Sequence, residues 1–451
     1  MQNFLFKRVE LWVVLLLALV GLLGTITFGW LALGYGRNPH PEGKLADATI
    51  AVAGIPDTIK QLIKNKDPRV SNRWERFGDK AGWMPAEGAP SLAADGYLLL
   101  SRFSGDENRS LIELVDLGDY QTKYRWLPDV TQILDGVPRV SNITKFDRWS
   151  PRMFSFVHPY LMSNGDLIVK DHQSPLARVD QCGKVLWKQY DDLVHHSTNT
   201  DAEGNLWVPT LIDPGNPDYN KHFFQDGIAE FSAEDGHMMF NRSLPDLLVK
   251  EGYEAMMFGS GAYRDDALHL NDIEVAQATG PYWQQGDLFL SLRHTSMIIL
   301  YRPSTDKIIW IKQGPWLAQH DVDIIDDHTI AVFDNNAIDY GFGWYVKGHS
   351  NVMFYDFATN QTSVPYDKTL ADLDIKSLTE GLFDMSTRGS VMVEEQNSGR
   401  IVILDKAGKL VAEYVNRAAD GKVYDLGWSR MISRAEGDAV LAALKARPAC
   451  Q

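Results

Sequence analysis

The sequence predicts an all-β fold, a six-bladed β-propeller, carried behind one N-terminal transmembrane helix. Three observations support this. An uninterrupted uncharged run, LWVVLLLALVGLLGTITFGWLAL, fills Leu11 to Leu33. From about Asp95 onward, short β-rich runs alternate with polar turns, the pattern of hairpins. One turn–strand–turn unit then recurs about six times with uneven loops, as propeller blades do. A pair of β-sandwiches would explain the strands but not the recurrence.

Leu11 to Leu33 is longer than the roughly eighteen apolar residues that argue for a spanning helix, and it shows no polar face. Trp12 and Trp30 lie near its two ends, where indole rings favour the interface. A cleaved signal peptide is the rival. Its apolar core of about 7–15 residues is shorter, although Ala32-Leu33-Gly34 resembles a cleavage site. Lys7 and Arg8 precede the run, and Arg37 and Lys44 follow it. That slight bias places the amino terminus inside and the body of a single-pass protein outside, which in a cell with two membranes means the inner (cytoplasmic) membrane and the periplasm.

The expected division is residues 1–36 for the tail and anchor, 37–92 for a stalk, 93–430 for the propeller and 431–451 for a helical tail. Within the stalk, Ile55 to Lys66 reads as a short amphipathic helix with Pro56 in its first turn. In the tail, Glu436 to Arg447 reads as another.

The 451 residues, 45% of them hydrophobic, suffice for a large core. A net charge of −15 argues against nucleic acid as a partner, since a binder needs a clustered basic face. Cys182 and Cys450 are far apart and in no metal-like spacing, so two unpaired thiols are expected, uninformative about compartment.

The stretch Gln285 to Asn335 organises the rest: three strands (DLFLSLR, SMIILYR, IIWIK), the loop GPWLAQHD, then the strand TIAVF. Arg293 ends one strand and His320 begins another, where packing alone gives no reason for them. Aligning the units on their inner strands places His196 and His320 at matched positions, with His158 nearly so. Positions i and i+2 of a strand share a face, so His269 and Asn271 are expected to point together at the axis. By the same alternation only one of His195 and His196 can, and His196 matches His320.

Several histidines, an arginine and an amide suit a metal-free cradle for a tetrahedral oxyanion. A metal site is disfavoured by the lack of a neighbouring carboxylate or cysteine and by the fixed charge of Arg293. No cofactor is expected.

SLRHTSMIILYRPSTDKIIW, GPW and QHDVDIIDDHTIAVFDN, with HHS and HLND upstream, resemble the bacterial arylsulfate sulfotransferases over roughly Asp95 to Arg430. The resemblance implies a six-bladed propeller and a ping-pong transferase that moves a sulfuryl group from an aryl sulfate donor to a phenolic acceptor. His320 would be the nucleophile, forming a sulfohistidine. Arg293 and Asn271 would grip the non-bridging oxygens, and His196 and His269 would supply a proton and further oxyanion support. The 13 Trp and 17 Tyr residues include candidates for aromatic walls around such substrates. The chain departs from the best-known members in three ways. A span and stalk stand where they carry a β-sandwich, Ser197 stands where an acidic residue is common, and no cysteine pair suggests the disulfide of some relatives. The alternative is a non-catalytic, membrane-anchored propeller that binds an anionic ligand or serves as an assembly platform. A metal- or base-dependent lyase or hydrolase is weaker, and a homo-oligomer is left open.

Overall fold

The structure is a computed structural model of the whole chain, describing residues 9–36, 43–64, 67–259 and 261–450. It divides into two compact units, residues 1–68 and 69–451.

In the first unit, Leu11–Gly36 forms one helix with no buried residue, long and apolar enough to cross a membrane. Lys7, Arg8 and Arg37, on which the expected orientation rests, lie outside the described residues. A second helix spans Lys44–Lys64, with Pro56 in its interior. It starts well before the expected Ile55 because KLADATIAVA is itself rich in helix formers.

The second unit is built of antiparallel sheets. Four are separate and have four or five strands. The first pairs Tyr97–Ser104, Arg109–Asp116 and Gln121–Trp126 with Arg430–Ile432, so the end of the chain supplies the inner strand. Others are Leu270–Val275 through Lys307–Gln313, and Val322–Ile324 with Thr329–Asp334, Asn351–Asp356 and Gln361–Ser363. The last runs from Leu382–Met385 to Leu410–Val415 and adds Gly82–Pro85 at its edge. Part of the stretch read as a stalk is therefore sheet.

The remaining large sheet has eight strands, from Tyr160–Leu161 to Met238–Ser243. Six separate blades were expected; four are seen. The difference arises at Val185–Val194, a ten-residue strand whose end pairs on with Leu206–Leu211 (Val194 with Thr210, Leu193 with Leu211) and joins two units edge to edge.

Six apolar seams hold successive units face to face. In one, Phe289, Ile298 and Leu300 meet Val322, Ile330 and Val332. In another, Ile168 and Leu176 meet Val208, Ala229 and Phe231, so the halves of the eight-stranded sheet also pack as facing layers. Polar latches add to the seams. Asp272, Asp321 and Asp384 each accept a backbone N–H from the next sheet, from Val322, Phe383 and Met431 at 3.0, 3.0 and 2.7 Å.

The tail helix spans Arg434–Ala446 and starts at a Ser433–Glu436 capping box. Cys182 and Cys450 are not free thiols. They form a disulfide across 268 residues, tying the end of the chain to the Asp180–Gly183 turn. Spacing was silent because tertiary folding alone brings them together.

Candidate active site

The residues that begin the inner strands share a backbone feature. His158, His196 and His269 have φ of 49°, 50° and 61°, and Ala318, Glu380 and Trp428 also lie in the left-handed region. Such φ values are uncommon for non-glycine residues and concentrate at functional sites. Here they turn one residue per unit out of strand geometry just before the chain enters the sheet.

The turn at His196 overrides the strand alternation, so His195 and His196 both line one cavity of about 340 Å³. The expectation that only one of the pair faces it fails for that reason. His269, Arg293 and His320 line the same cavity. Asn271 does not: it is fully buried, and its Nδ2 donates to the Gln319 carbonyl at 2.9 Å. Because His269 is left-handed, the i, i+2 argument that paired it with Asn271 does not apply, and Asn271 braces the backbone beside His320. His158 is also off the cavity wall; its Nδ1 accepts the Thr198 N–H at 3.1 Å.

Hydrogen bonds assign the imidazole tautomers. Asn335 Nδ2 donates to the Ser377 and Glu380 carbonyls, so its Oδ1 faces His320 Nδ1 at 2.7 Å and must accept from it. The lone pair of His320 is then on Nε2, which accepts the Glu380 N–H at 2.9 Å. His195 Nε2 faces the Thr210 carbonyl at 3.2 Å and donates to it. Its Nδ1, 2.8 Å from His196 Nδ1, accepts from that atom and leaves the His196 lone pair on Nε2. His269 Nδ1 donates to Asp266 at 2.5 Å, again leaving Nε2 as the acceptor.

Burial drives the pKa of His196 and His320 well below the ordinary histidine value, and the neighbouring imidazoles and Arg293 add to it. Burial also lowers His269 despite Asp266 beside it. For Asp266, burial opposes ionisation, but His269 and His294 outweigh it and hold the carboxyl well below the usual range.

Arg293 is 7% exposed, yet no described residue accepts a hydrogen bond from its guanidinium. It lies over the Trp344 ring, 5.1 Å from Cζ to centroid, and the Asp266 and Glu380 carboxylates are near enough to attract it without accepting a hydrogen bond. An unpaired guanidinium at a cavity wall is a place for an anion.

The structure adds residues that sequence reasoning missed. Arg148 reaches the cavity from the short turn Phe146–Arg148 ahead of the eight-stranded sheet, braced by Asp171 at 3.1 Å and Ser155 at 2.9 Å. Nothing in its loop sequence signals this. Lys170 is fully buried and donates to the Val157 and His196 carbonyls, holding the His196 turn. Burial pulls its pKa down to about 7. A lysine ending the apolar run GDLIVK carried the same signal that singled out Arg293.

Carboxylates also stand beside the histidines, contrary to expectation. Asp266 is at His269, Asp226 is 3.4 Å from His195, and Glu380 is 3.4 Å from His172. Burial opposes ionisation of Glu380, but His172, Arg148 and His320 hold its carboxyl at about 2. Asp266, His269 and His294 have ligand atoms within 4.8 Å of one another and form the candidate metal set at the cavity. The adjacent Arg293 opposes a cation there, and Asp266 already accepts from His269.

A propeller-like body with histidines and an unpaired arginine gathered over its inner strands defines the class. The family model described as arylsulfotransferase (ASST) matches residues 158–417, and the chain belongs to that family. No match is found among curated proteins. Among solved structures, a protein of unknown function from Bacteroides caccae is similar at 11% identity and a TM-score of 0.44, over 74% of this chain and 98% of that one. A virginiamycin B lyase from Staphylococcus aureus is similar at 11% identity and a TM-score of 0.34, over 58% and 70%. A streptogramin B lyase structure is similar at 12% and 0.37, over 80% and 98%.

Proposed function

We propose that the chain is an aryl sulfotransferase that moves a sulfuryl group from a phenolic sulfate ester to a phenolic acceptor without a nucleotide donor. One observation carries this: an unpaired guanidinium and three histidines whose lone pairs are on Nε2, His196, His269 and His320, line one cavity of about 340 Å³. The guanidinium suits the ester's oxygens, and an Nε2 lone pair suits either attack on sulfur or the O–H of a phenol.

In the first half-reaction the donor's aryl O–S bond breaks as an N–S bond forms at His320 Nε2. The phenolate leaves and takes a proton from water. Arg293 and Arg148 offset the charge spread over the non-bridging oxygens. In the second, the acceptor gives its O–H proton to Nε2 of His269 or His196. Its oxygen then attacks sulfur, the N–S bond breaks, and the base releases the proton to water. With these tautomers the two histidines act as bases toward the acceptor. Asp266 holds His269 in the tautomer that this needs. Attack also requires the His320 lone pair, so the Glu380 N–H bond must open when donor binds.

That same bond favours the second reading, a propeller that binds anions without turnover. Incubating the purified protein with nitrophenyl sulfate and phenol decides between them. Phenol-dependent release of nitrophenol supports the transferase; binding of the ester without release supports the platform.

The eight-stranded sheet counts as two blades, making six, in line with its internal apolar seam and the six left-handed turns. The Leu11–Gly36 helix is a single-pass inner-membrane anchor and the body is periplasmic, which the disulfide supports because such bonds persist in oxidising compartments. Protease treatment of intact spheroplasts tests this: digestion of the body is expected, and its protection would reverse the orientation.

A further inference from the structure

We propose that a second cleft, outside the catalytic cavity, is a binding site for phenols that carry a further anionic group. Trp344 would be the platform for the ring and Arg264 the partner of the anion. The proposal rests on the transferase reading and names the acceptor class for that site.

The cleft has a volume of about 510 Å³ and shares Arg293 and Asp266 with the inner cavity, so a molecule in it reaches the same guanidinium. One wall is a hairpin, Ala337–Ile338 paired with Tyr345–Val346, inserted between two strands of its sheet. Asp339 shapes its tip by accepting the Gly341 and Gly343 N–H groups at 2.7 and 3.0 Å. Both glycines lie at positive φ, 94° and 100°, where a side chain would strain the turn.

The hairpin spends its aromatic residues on solvent. Tyr340 is 61% exposed, Phe342 96%, Trp344 46% and Tyr345 43%. Core packing explains none of them. Trp344 faces the cleft and lies over Arg293, so its ring is already placed beside the anion-binding group. Aromatic faces stack offset on other rings, and Leu317 and Ile338 add an apolar floor.

Charge selects the ligand further. Arg264 lines the cleft, and no described residue pairs with it. The carboxylates Asp266 and Asp339 also line the cleft, but neither accepts a hydrogen bond from an arginine: Asp266 accepts from His269, and Asp339 from its own turn. Two guanidiniums without partners, Arg264 and Arg293, therefore flank one aromatic platform. A ring with a phenolic oxygen directed inward and a carboxylate or sulfonate directed outward matches that arrangement.

The test uses the full chain in detergent, with 4-hydroxybenzoate and phenol as probes and no donor present, read by titration calorimetry. Wild type is expected to bind 4-hydroxybenzoate more tightly than phenol. Arg264→Gln should bring the two affinities together. Trp344→Ala should weaken both by roughly three- to tenfold, while Trp344→Phe retains most of the binding. Equal affinities in wild type, no binding of either probe, or a preference that survives both Arg264→Gln and Trp344→Ala would overturn the proposal. Because no sulfuryl transfer enters this measurement, failure of turnover alone would sink the catalytic reading and leave the cleft standing.

Discussion

Replacing Arg293 with methionine should make the protein more stable while lowering its activity. A buried polar group without a partner costs about 1–3 kcal/mol. The Arg293 Nε is such a group, and burial pulls the pKa of this guanidinium down by more than the nearby Asp266 and Glu380 carboxylates restore. Stacking on Trp344 returns about 0.5–1 kcal/mol. The difference favours methionine by about 1 kcal/mol. In a body of this size that raises the thermal midpoint by only about 1–2 °C, so urea denaturation is the better assay. Loss of a charge-assisted contact to the ester should meanwhile lower kcat/KM by about 10- to 100-fold. Arg400, paired with Glu395 at 2.5 Å, is the contrasting case and should destabilise when replaced. If Arg293→Met instead destabilises by more than about 1 kcal/mol, the guanidinium is structural and the argument for an anion site at Arg293 fails.

Other consequences follow from the same structure. Asp266→Asn should slow transfer to phenol by about 10²–10⁴-fold, more than it slows the first-turnover burst of nitrophenol, because in the proposed reaction the dyad acts on the acceptor; stopped-flow traces separate the two. On the strand Leu270–Val275, burial raises Asp272 to about 6 and Glu274 to about 8. Carboxyls with raised pKa bind protons on folding, so their contribution is full below about pH 4 and is lost as pH rises through 6 to 8. Urea midpoints should therefore fall across that window and fall less in Glu274→Gln, whereas an identical slope in the variant would contradict the assignment. Cys450→Ser should lower stability by about 2 kcal/mol or more, and reductant should do the same to wild type without further effect on the variant.

Much of the site was legible because its residues break local rules. An arginine ending an apolar strand and histidines recurring before inner strands have no packing reason, and Arg293, His196, His269 and His320 do share a cavity. What misled was the assumption of strand geometry at those positions. At His196 and His269 the backbone is left-handed, which brought His195 onto the wall and took Asn271 off it. Arg148 and Glu380 come from turns, and Asp226 from the start of the strand Asp226–Phe231, where no period or spacing points to them. The disulfide and the edge strand Gly82–Pro85 join segments hundreds of residues apart, so neither leaves a local trace. The merged eight-stranded sheet depends on how far one strand continues, which turn residues do not encode.

The most direct measurement of the central claim is peptide mass spectrometry after wild-type protein is mixed with nitrophenyl sulfate alone and quenched at alkaline pH, where an N-sulfo imidazole is expected to persist. The account predicts one sulfuryl group on the peptide containing His320, absent from His320→Ala and discharged when phenol is added before the quench. Nitrophenol release at the wild-type rate by His320→Ala, or a stable label on any other residue, would contradict it.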